Sequence, residues 1–457
     1  MRGHALLLCA CLPLAGCAVF ATSGGGPGGL SRFDADLRSL ATRGEFERAL
    51  ELTEGKSAPG DDLLRTLQRA AVLRHAGRYD DSNRLLQEAE LEIEDRYTKS
   101  LSKAALSLIT NDRVLAWRPS RVERMLLHCY GALNYLALGD PDEAAVEARR
   151  LSGLLEAEEV EAFTDGVEPA GAERELRRAM RAIAALVFEA AGEWNDASVA
   201  WRNAGPAFAG LGAGIPGAGG AAGFGTADLA GPAPTGTARP FDARPPPPDS
   251  GEIVVVAESG FLPHRVERSA VVPIYRRDVH DLDDHDASDR RDAALCVAWR
   301  ALGRQPDGPP AGLFDGFGAR DLRRCGRRGG GSLYVLALAW PDLRETPDPV
   351  RGGTVRVGPD AAAPLRPVAD ISAAYADEHR SGLAGVLVKA VIRAAAKHAI
   401  VEEIREEAEE EDETLGDVVG LLGNAVAVAS EHADTRSWNL LPGALHVARI
   451  RVPAGRH

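Results

Sequence analysis

The chain has 457 residues, 45% of them hydrophobic and 26% charged, and carries a net charge of −14 from 53 basic and 67 acidic side chains. That length suggests about three domains, with enough apolar material for a core that needs no disulfide staples. The acidic balance excludes nucleic acid as a partner, because phosphate neutralisation requires clustered Lys and Arg, and it excludes a basic surface as the means of holding a membrane.

The N-terminus reads Met1-Arg2, then an apolar run from Ala5 to Ala15, then Gly16-Cys17. One positive charge ahead of a short apolar stretch is a secretory pattern, too short for a stable membrane span. The end of that run, Leu14-Ala15-Gly16-Cys17, resembles the lipobox of bacterial lipoproteins. In that family the chain is cut before the Cys, which is then acylated on sulfur and amine. The resemblance implies a signal peptide over 1–16 and lipidation at Cys17; Ala rather than Asp at position 18 implies the periplasmic face of the outer membrane. Each buried methylene contributes about 0.8 kcal/mol, so several acyl chains hold where one lets go. A plain signal peptide with an incidental Cys is the alternative. Residues 17–30 carry the Cys and a flexible Gly-rich tether. Of the six cysteines, Cys129 falls in an apolar helical pattern and is expected to be buried, and Cys296 and Cys325 are candidates to pair or to stay free.

Residues 31–204 read as helices with an internal repeat. A Gly is followed two residues on by an aromatic or Pro and five residues on by Ala or Ser. This occurs at Gly44/Phe46/Ala49, Gly77/Tyr79/Ser82, Gly139/Pro141/Ala144 and Gly192/Trp194/Ala197. Gly suits the tight turn between paired helices, and the small residue lets the second helix pack closely on the first. Val122, Met125, Leu126, Cys129, Leu133 and Leu136 add a helical apolar stripe, as do Leu176, Met180, Ile183 and Leu186. The spacing predicts a tetratricopeptide-like (TPR-like) α-solenoid.

Residues 205–250 are dominated by Gly, Ala and Pro and read as a disordered linker. Residues 251–457 then predict strands at 252–257, 266–275, 333–340, 354–357 and 444–452, with helices at 372–411 and 415–430. The whole is expected to be α+β: a helical solenoid, a Gly/Pro-rich linker, and a C-terminal domain with a mixed β-sheet and long helices.

Several segments resemble a family of bacterial envelope lipoproteins with TPR-like helices. They are Arg96-Tyr97-Thr98-Lys99-Ser100 through Asn111-Asp112, then Ala132-Leu133-Asn134-Tyr135-Leu136-Ala137-Leu138-Gly139-Asp140, and Ser430-Glu431-His432-Ala433-Asp434-Thr435-Arg436-Ser437-Trp438. The closing Arg449-Ile450-Arg451-Val452-Pro453 also fits, with His432 standing where relatives have Gln. Members are associated with lipoproteins that activate cell-wall synthases, which implies a cell-envelope role by analogy.

Candidate sites are few. Arg124, His128, Gly131 and Tyr135 share one helix face, and Glu143, Glu147 and Arg150 share a face of the next. In a solenoid such faces either line a concave groove that binds a partner or pair with each other between adjacent helices. Asp434, Arg436 and Trp438 read as a structural corner. His280, Asp281, Asp283, Asp284, His285 and Asp286 crowd the 278–289 segment as a solvated acidic loop or a divalent-ion site, without EF-hand spacing. Lys389, Arg393 and Lys397 form a cationic stripe ahead of the acidic run 402–413. No zinc-ligand spacing, phosphate loop or nucleophile elbow is present, so no catalytic residue, cofactor or metal is assigned. The expectation is a non-enzymatic, lipid-anchored envelope scaffold that binds an unidentified envelope protein through Arg124, His128, Tyr135, Glu147 and Arg150. A periplasmic metal-dependent hydrolase using 278–289 and a structural cell-wall-binding module are the alternatives.

Overall fold

The computed structural model describes residues 30–55, 60–98, 116–165, 171–211, 249–275, 287–303, 332–346, 350–358, 361–411 and 431–453, with the single positions 278, 282, 325, 348 and 455. The expected signal peptide, Cys17, its tether, helix 415–430 and most of the 278–289 loop lie outside them.

The first half is a run of helices: α1 (Arg32–Thr42), α2 (Phe46–Glu54), α3 (Asp62–His75), α4 (Tyr79–Thr98), α5 (Arg121–Leu138), α6 (Pro141–Asp165), α7 (Gly171–Ala190) and α8 (Trp194–Ala204). Their starts are encoded locally. Ser31, Asp61 and Ser120 each cap a helix by accepting an N–H from the first turn, and Ser120 with Glu123 completes a reciprocal capping box.

The four repeated glycines make one turn four times. Gly44, Gly77, Gly139 and Gly192 all sit at φ 70–80°. Each donates its N–H to the carbonyl three residues back, and the following residue donates to the one five back: Glu45 to Leu40, Arg78 to Leu73, Asp140 to Tyr135 and Glu193 to Phe188. This left-handed cap closes a helix only where no Cβ is present to clash. The small residue five positions after each Gly (Ala49, Ser82, Ala144, Ala197) is fully buried, which is where the second helix touches the first.

Order continues past α8. Pro206–Leu211 form a 3₁₀ turn whose Phe208 and Leu211 are buried. The expected linker therefore does not begin at 205: an apolar Phe–Leu pair inside a Gly/Ala-rich stretch is enough to seat one more turn on the core.

The second half contains β1 (Ser250–Ser259), β2 (His264–Tyr275), α9 (Ala287–Leu302), β3 (Ser332–Arg344), β4 (Gly353–Val357), β5 (Ala361–Asp370), α10 (Ile371–Glu411) and β6 (Ala444–Pro453). One sheet has the order β1-β6-β5-β4 and a second pairs β2 with β3; every pairing is antiparallel. The expected mixed sheet is thus corrected to antiparallel sheets. Strand direction depends on where intervening helices return the chain, which alternation of side chains does not encode. Strand β5 escapes the sequence pattern because it contains Pro364 and Pro367. Among the described residues its first half pairs with β4 alone and its second half with β6 alone, with a register shift after Pro367. Each proline therefore lies in a half-strand that has one unpaired side, the setting in which a missing N–H is tolerated.

The core is not divided where the composition shifts. One apolar cluster joins residues of α1 to α8 with Leu262, Ala369, Ile371, Tyr375, Trp438, Leu441 and Val447. A second cluster packs β2 and β3 against α9 and the middle of α10. Helix α10, 41 residues and about 60 Å long, enters the first core at Ile371 and the second at Leu383. Cys296 of α9 is disulfide-bonded to Cys325, with Cα atoms 5.0 Å apart. No helix among the described residues is long and apolar enough to cross a membrane.

Candidate functional site

Helix α5 is the axis of the site, because its two sides do different things. On one side it receives the chain's own C-terminal segment. The second Glu123 carboxylate oxygen accepts the Trp438 N–H at 2.7 Å. Burial raises the pKa of Glu123, while Arg265 and the N–H groups of Ser120 and Trp438 oppose that rise. The Trp438 indole is fully buried and meets the Tyr130 ring edge-on, centroids 6.0 Å apart. Around it, Trp117 Nε1 donates to the Arg436 carbonyl at 3.2 Å, Gln68 to the Ser437 carbonyl at 3.4 Å, and Arg38 Nε to the Asn439 carbonyl at 2.9 Å. Helices α1, α3 and α5 thus hold residues 436–439 largely by backbone hydrogen bonds, as a groove holds an extended peptide. Arg436 closes a two-toothed pair with Asp434 (both contacts 2.8 Å) and lies 3.6 Å from Asp61. Further along, Arg449 of β6 bonds Glu189 of α7 at 2.7 Å and also pairs with Glu252 of β1.

The opposite side of α5 carries Arg124, His128, Gly131 and Tyr135. The sequence left two readings open for this face. It does not line the side that receives the C-terminal segment; it packs into the seam between α4 and α6. His128 Nδ1 is 3.1 Å from Glu147, and its Nε2 is 3.8 Å from Glu90. Arg150 spans the same two carboxylates at 3.0 and 2.9 Å. Arg124 lies over the Tyr97 ring, 3.7 Å from Glu158. Gly131 is where Glu147 leans on α5: a Cβ there would come within 3.2 Å of the Glu147 side chain. The physical reason is helical phase. Positions 123, 130 and 134 point toward α3 and the C-terminal part, and positions 124, 128, 131 and 135 are rotated away from them.

Where this seam opens, Tyr135 and Glu147 line a small cleft, with room for about one water, together with Asn83, Leu86, Gln87, Glu90, Leu127 and Gly131. The Tyr135 hydroxyl accepts a hydrogen bond from Gln87 Nε2 at 3.0 Å. Partial burial raises its pKa, and Glu143, Glu147 and Asp140 add to the rise. Arg124 and Arg150 belong to the walls behind the cleft rather than to its lining. Asn83, Gln87 and Glu90 come from α4, about 50 residues upstream, and no local pattern marks them.

Below the cleft, Glu158 is buried between Arg177 (2.9 Å) and Arg124 (3.7 Å), and Arg177 also pairs with Glu173 at 2.9 Å. Desolvation outweighs these arginines and lifts the Glu158 pKa to about 7. The cationic stripe on α10 is split: Lys389 is exposed, Arg393 is buried, and Lys397 bonds Glu431 at 2.5 Å. Of the acidic loop, Asp278 is described; it accepts the Tyr275 N–H and pairs with Arg300, both at 2.8 Å. No group of three or more His, Cys, Asp or Glu that could hold a metal occurs among the described residues.

Compared with known proteins, no family model, no curated protein and no solved structure matches this chain.

Proposed function

We propose that the chain is a non-enzymatic, lipid-anchored protein of the bacterial outer membrane whose TPR-like helices serve as a scaffold for another envelope protein. The observation that carries this reading is the fourfold repetition of one glycine-capped helix hairpin, each with its small residue fully buried. Stacked hairpins of this kind present long surfaces suited to binding protein rather than enclosing a substrate. The anchor rests on Leu14-Ala15-Gly16-Cys17, and the paired Cys296 and Cys325 suit an oxidising compartment. Because residues 436–439 fill the side of α1, α3 and α5 that a peptide would use, the partner is assigned to the other side, where Tyr135 and Glu147 line the cleft.

Two measurements test this. Cys17→Ala is expected to abolish recovery in the membrane fraction and palmitate labelling; equal recovery and labelling of variant and wild type would end the lipoprotein reading. In-cell crosslinking of the envelope fraction is expected to lose a defined adduct in Tyr135→Ala, and an unchanged adduct pattern would remove that face as the scaffold surface.

A further inference from the structure

A charge cluster lies where α5, α6, α7 and α10 meet. Glu158 of α6 sits between Arg177 of α7 at 2.9 Å and Arg124 of α5 at 3.7 Å. Glu173 of α7 pairs with the same Arg177 at 2.9 Å and with Arg121 of α5 at 3.3 Å. Arg121 in turn lies 3.7 Å from Glu378 of α10. Three arginines thus face three carboxylates, and Glu158, Glu173 and Arg177 are buried.

The same junction holds α10, which enters both cores, on the helices of the first half. Glu378 accepts the first two N–H groups of α5, from Arg121 at 2.8 Å and Val122 at 3.1 Å. Its neighbour Asp377 accepts the Ala172 N–H in the first turn of α7 at 3.0 Å. Helix starts leave such donors unpaired and favour negative charge, so two carboxylates of α10 cap two helices.

Glu158 is the weak member of the cluster. Neither of its oxygens accepts a hydrogen bond. Arg177 Nη2 comes within 2.9 Å but donates to Glu173, and Arg124 lies over the Tyr97 ring of α4. A buried carboxylate so placed is costly when ionised and accommodated when protonated. Its repulsion with Glu378 is mutual, so an ionised Glu158 pushes against the carboxylate that caps α5. The neighbouring charges are otherwise engaged: Glu159 pairs with Arg181 at 2.7 Å, and His379, beside Glu378, faces Arg265, Asp342 and the Pro341 carbonyl.

We propose that Glu158 is a proton-operated latch: protonated, it lets the α6–α7 hairpin and the α10 carboxylates close on the start of α5, and on losing its proton it loosens that junction. The closed junction keeps the proton up to about pH 7, because burial outweighs Arg177, Arg124 and Arg121, whereas Glu158 in water releases it near 4.5. The latch is therefore firmest at pH 4.5 and below and loosens as pH rises to about 7; above that Glu158 adds no further pH dependence. The inference does not depend on the anchor or on the partner.

Hydrogen–deuterium exchange of the full-length protein, corrected for the intrinsic pH dependence of exchange, reads this opening. Between pH 5 and pH 7 the opening equilibrium in the second half of α6 and the start of α7 should rise about 40-fold in wild type, the factor set by pKa values of 4.5 and about 7. Glu158→Gln, which copies the protonated shape, should lose the rise and stay closed at pH 7. An infrared difference spectrum between the two proteins near pH 6 should show a protonated carboxyl band in wild type that vanishes on alkalinisation. Equal corrected protection of wild type at both pH values overturns the latch, and that comparison stands even if the variant folds poorly. A rise that persists in Glu158→Gln, or a missing carboxyl band, overturns it as well.

Discussion

A buried and a half-buried titratable side chain, Glu158 and His379, pull stability in opposite directions over the same pH range. Glu158 titrates near 7 in the fold instead of 4.5, because desolvation outweighs Arg177, Arg124 and Arg121. The folded state therefore holds a proton that the unfolded chain has released, and stability falls as pH rises from about 4.5 to 7. His379 titrates near 4 instead of 6.5, from burial and from Arg265. Its contribution is complete above 6.5 and is lost as pH falls toward 4. Glu158→Gln should remove the first effect and expose the second. Its melting temperature relative to wild type is expected to drop progressively from pH 7 to 4.5, and His379→Gln should do the reverse. Parallel melting curves for all three proteins across that range would show that neither group is held as described. The same site shows what sequence spacing can find. The i, i+4 and i+3 steps of Arg124, His128, Gly131 and Tyr135 were legible as one face. Their partners Glu90 and Gln87 were not, because nothing in the chain near 87–90 signals a contact with residues near 128–135.

Among the elements, the short irregular segment 434–441 matters more to the fold than its lack of regular structure suggests. It carries Trp438 into the first core, and its backbone is bonded by Gln68, Trp117 and Arg38, from α3, the α5 approach and α1. Trp438→Ala removes a fully buried indole and is expected to cost about 3–5 kcal/mol, read as a lower denaturation midpoint. Since both halves share that core, helical circular dichroism and tertiary signals should still fall together; an early, separate loss of the sheet would show that the halves stabilise independently. The helix hairpins, by contrast, were legible one by one, since capping residue, glycine and small residue all lie within a few positions of one another. Strand β5 was not, because its two prolines are acceptable only where pairing is confined to alternate halves, and that is a property of its neighbours.

For the molecule as a whole, the cysteines tie chemistry to the fold. Cys129 is buried, and its thiol pKa is pushed up to about 12 by desolvation, so it is inert in the native state. Cys296 and Cys325 are joined across 29 residues, a closure expected to contribute about 3–4 kcal/mol to the stability of the second core. Reduction should therefore lower the melting temperature of wild type but not of a Cys296→Ser/Cys325→Ser variant. After processing and acylation, a denatured, unreduced sample should titrate one thiol, that of Cys129. Four would mean that the leader remains and that Cys17 carries no lipid.

By itself the sequence determined the four helix hairpins and most of the strands, because each depends on residues within one or two turns of each other. Only the tertiary structure decided that the halves share one core, that the described sheets are antiparallel, and that the C-terminal segment packs against α1, α3 and α5. It also decided that the Arg124–Tyr135 face looks into the α4–α6 seam. Those outcomes rest on contacts between residues as far apart as Arg38 and Asn439, 401 positions, and local periodicity carries no record of which distant surface a helix face will meet.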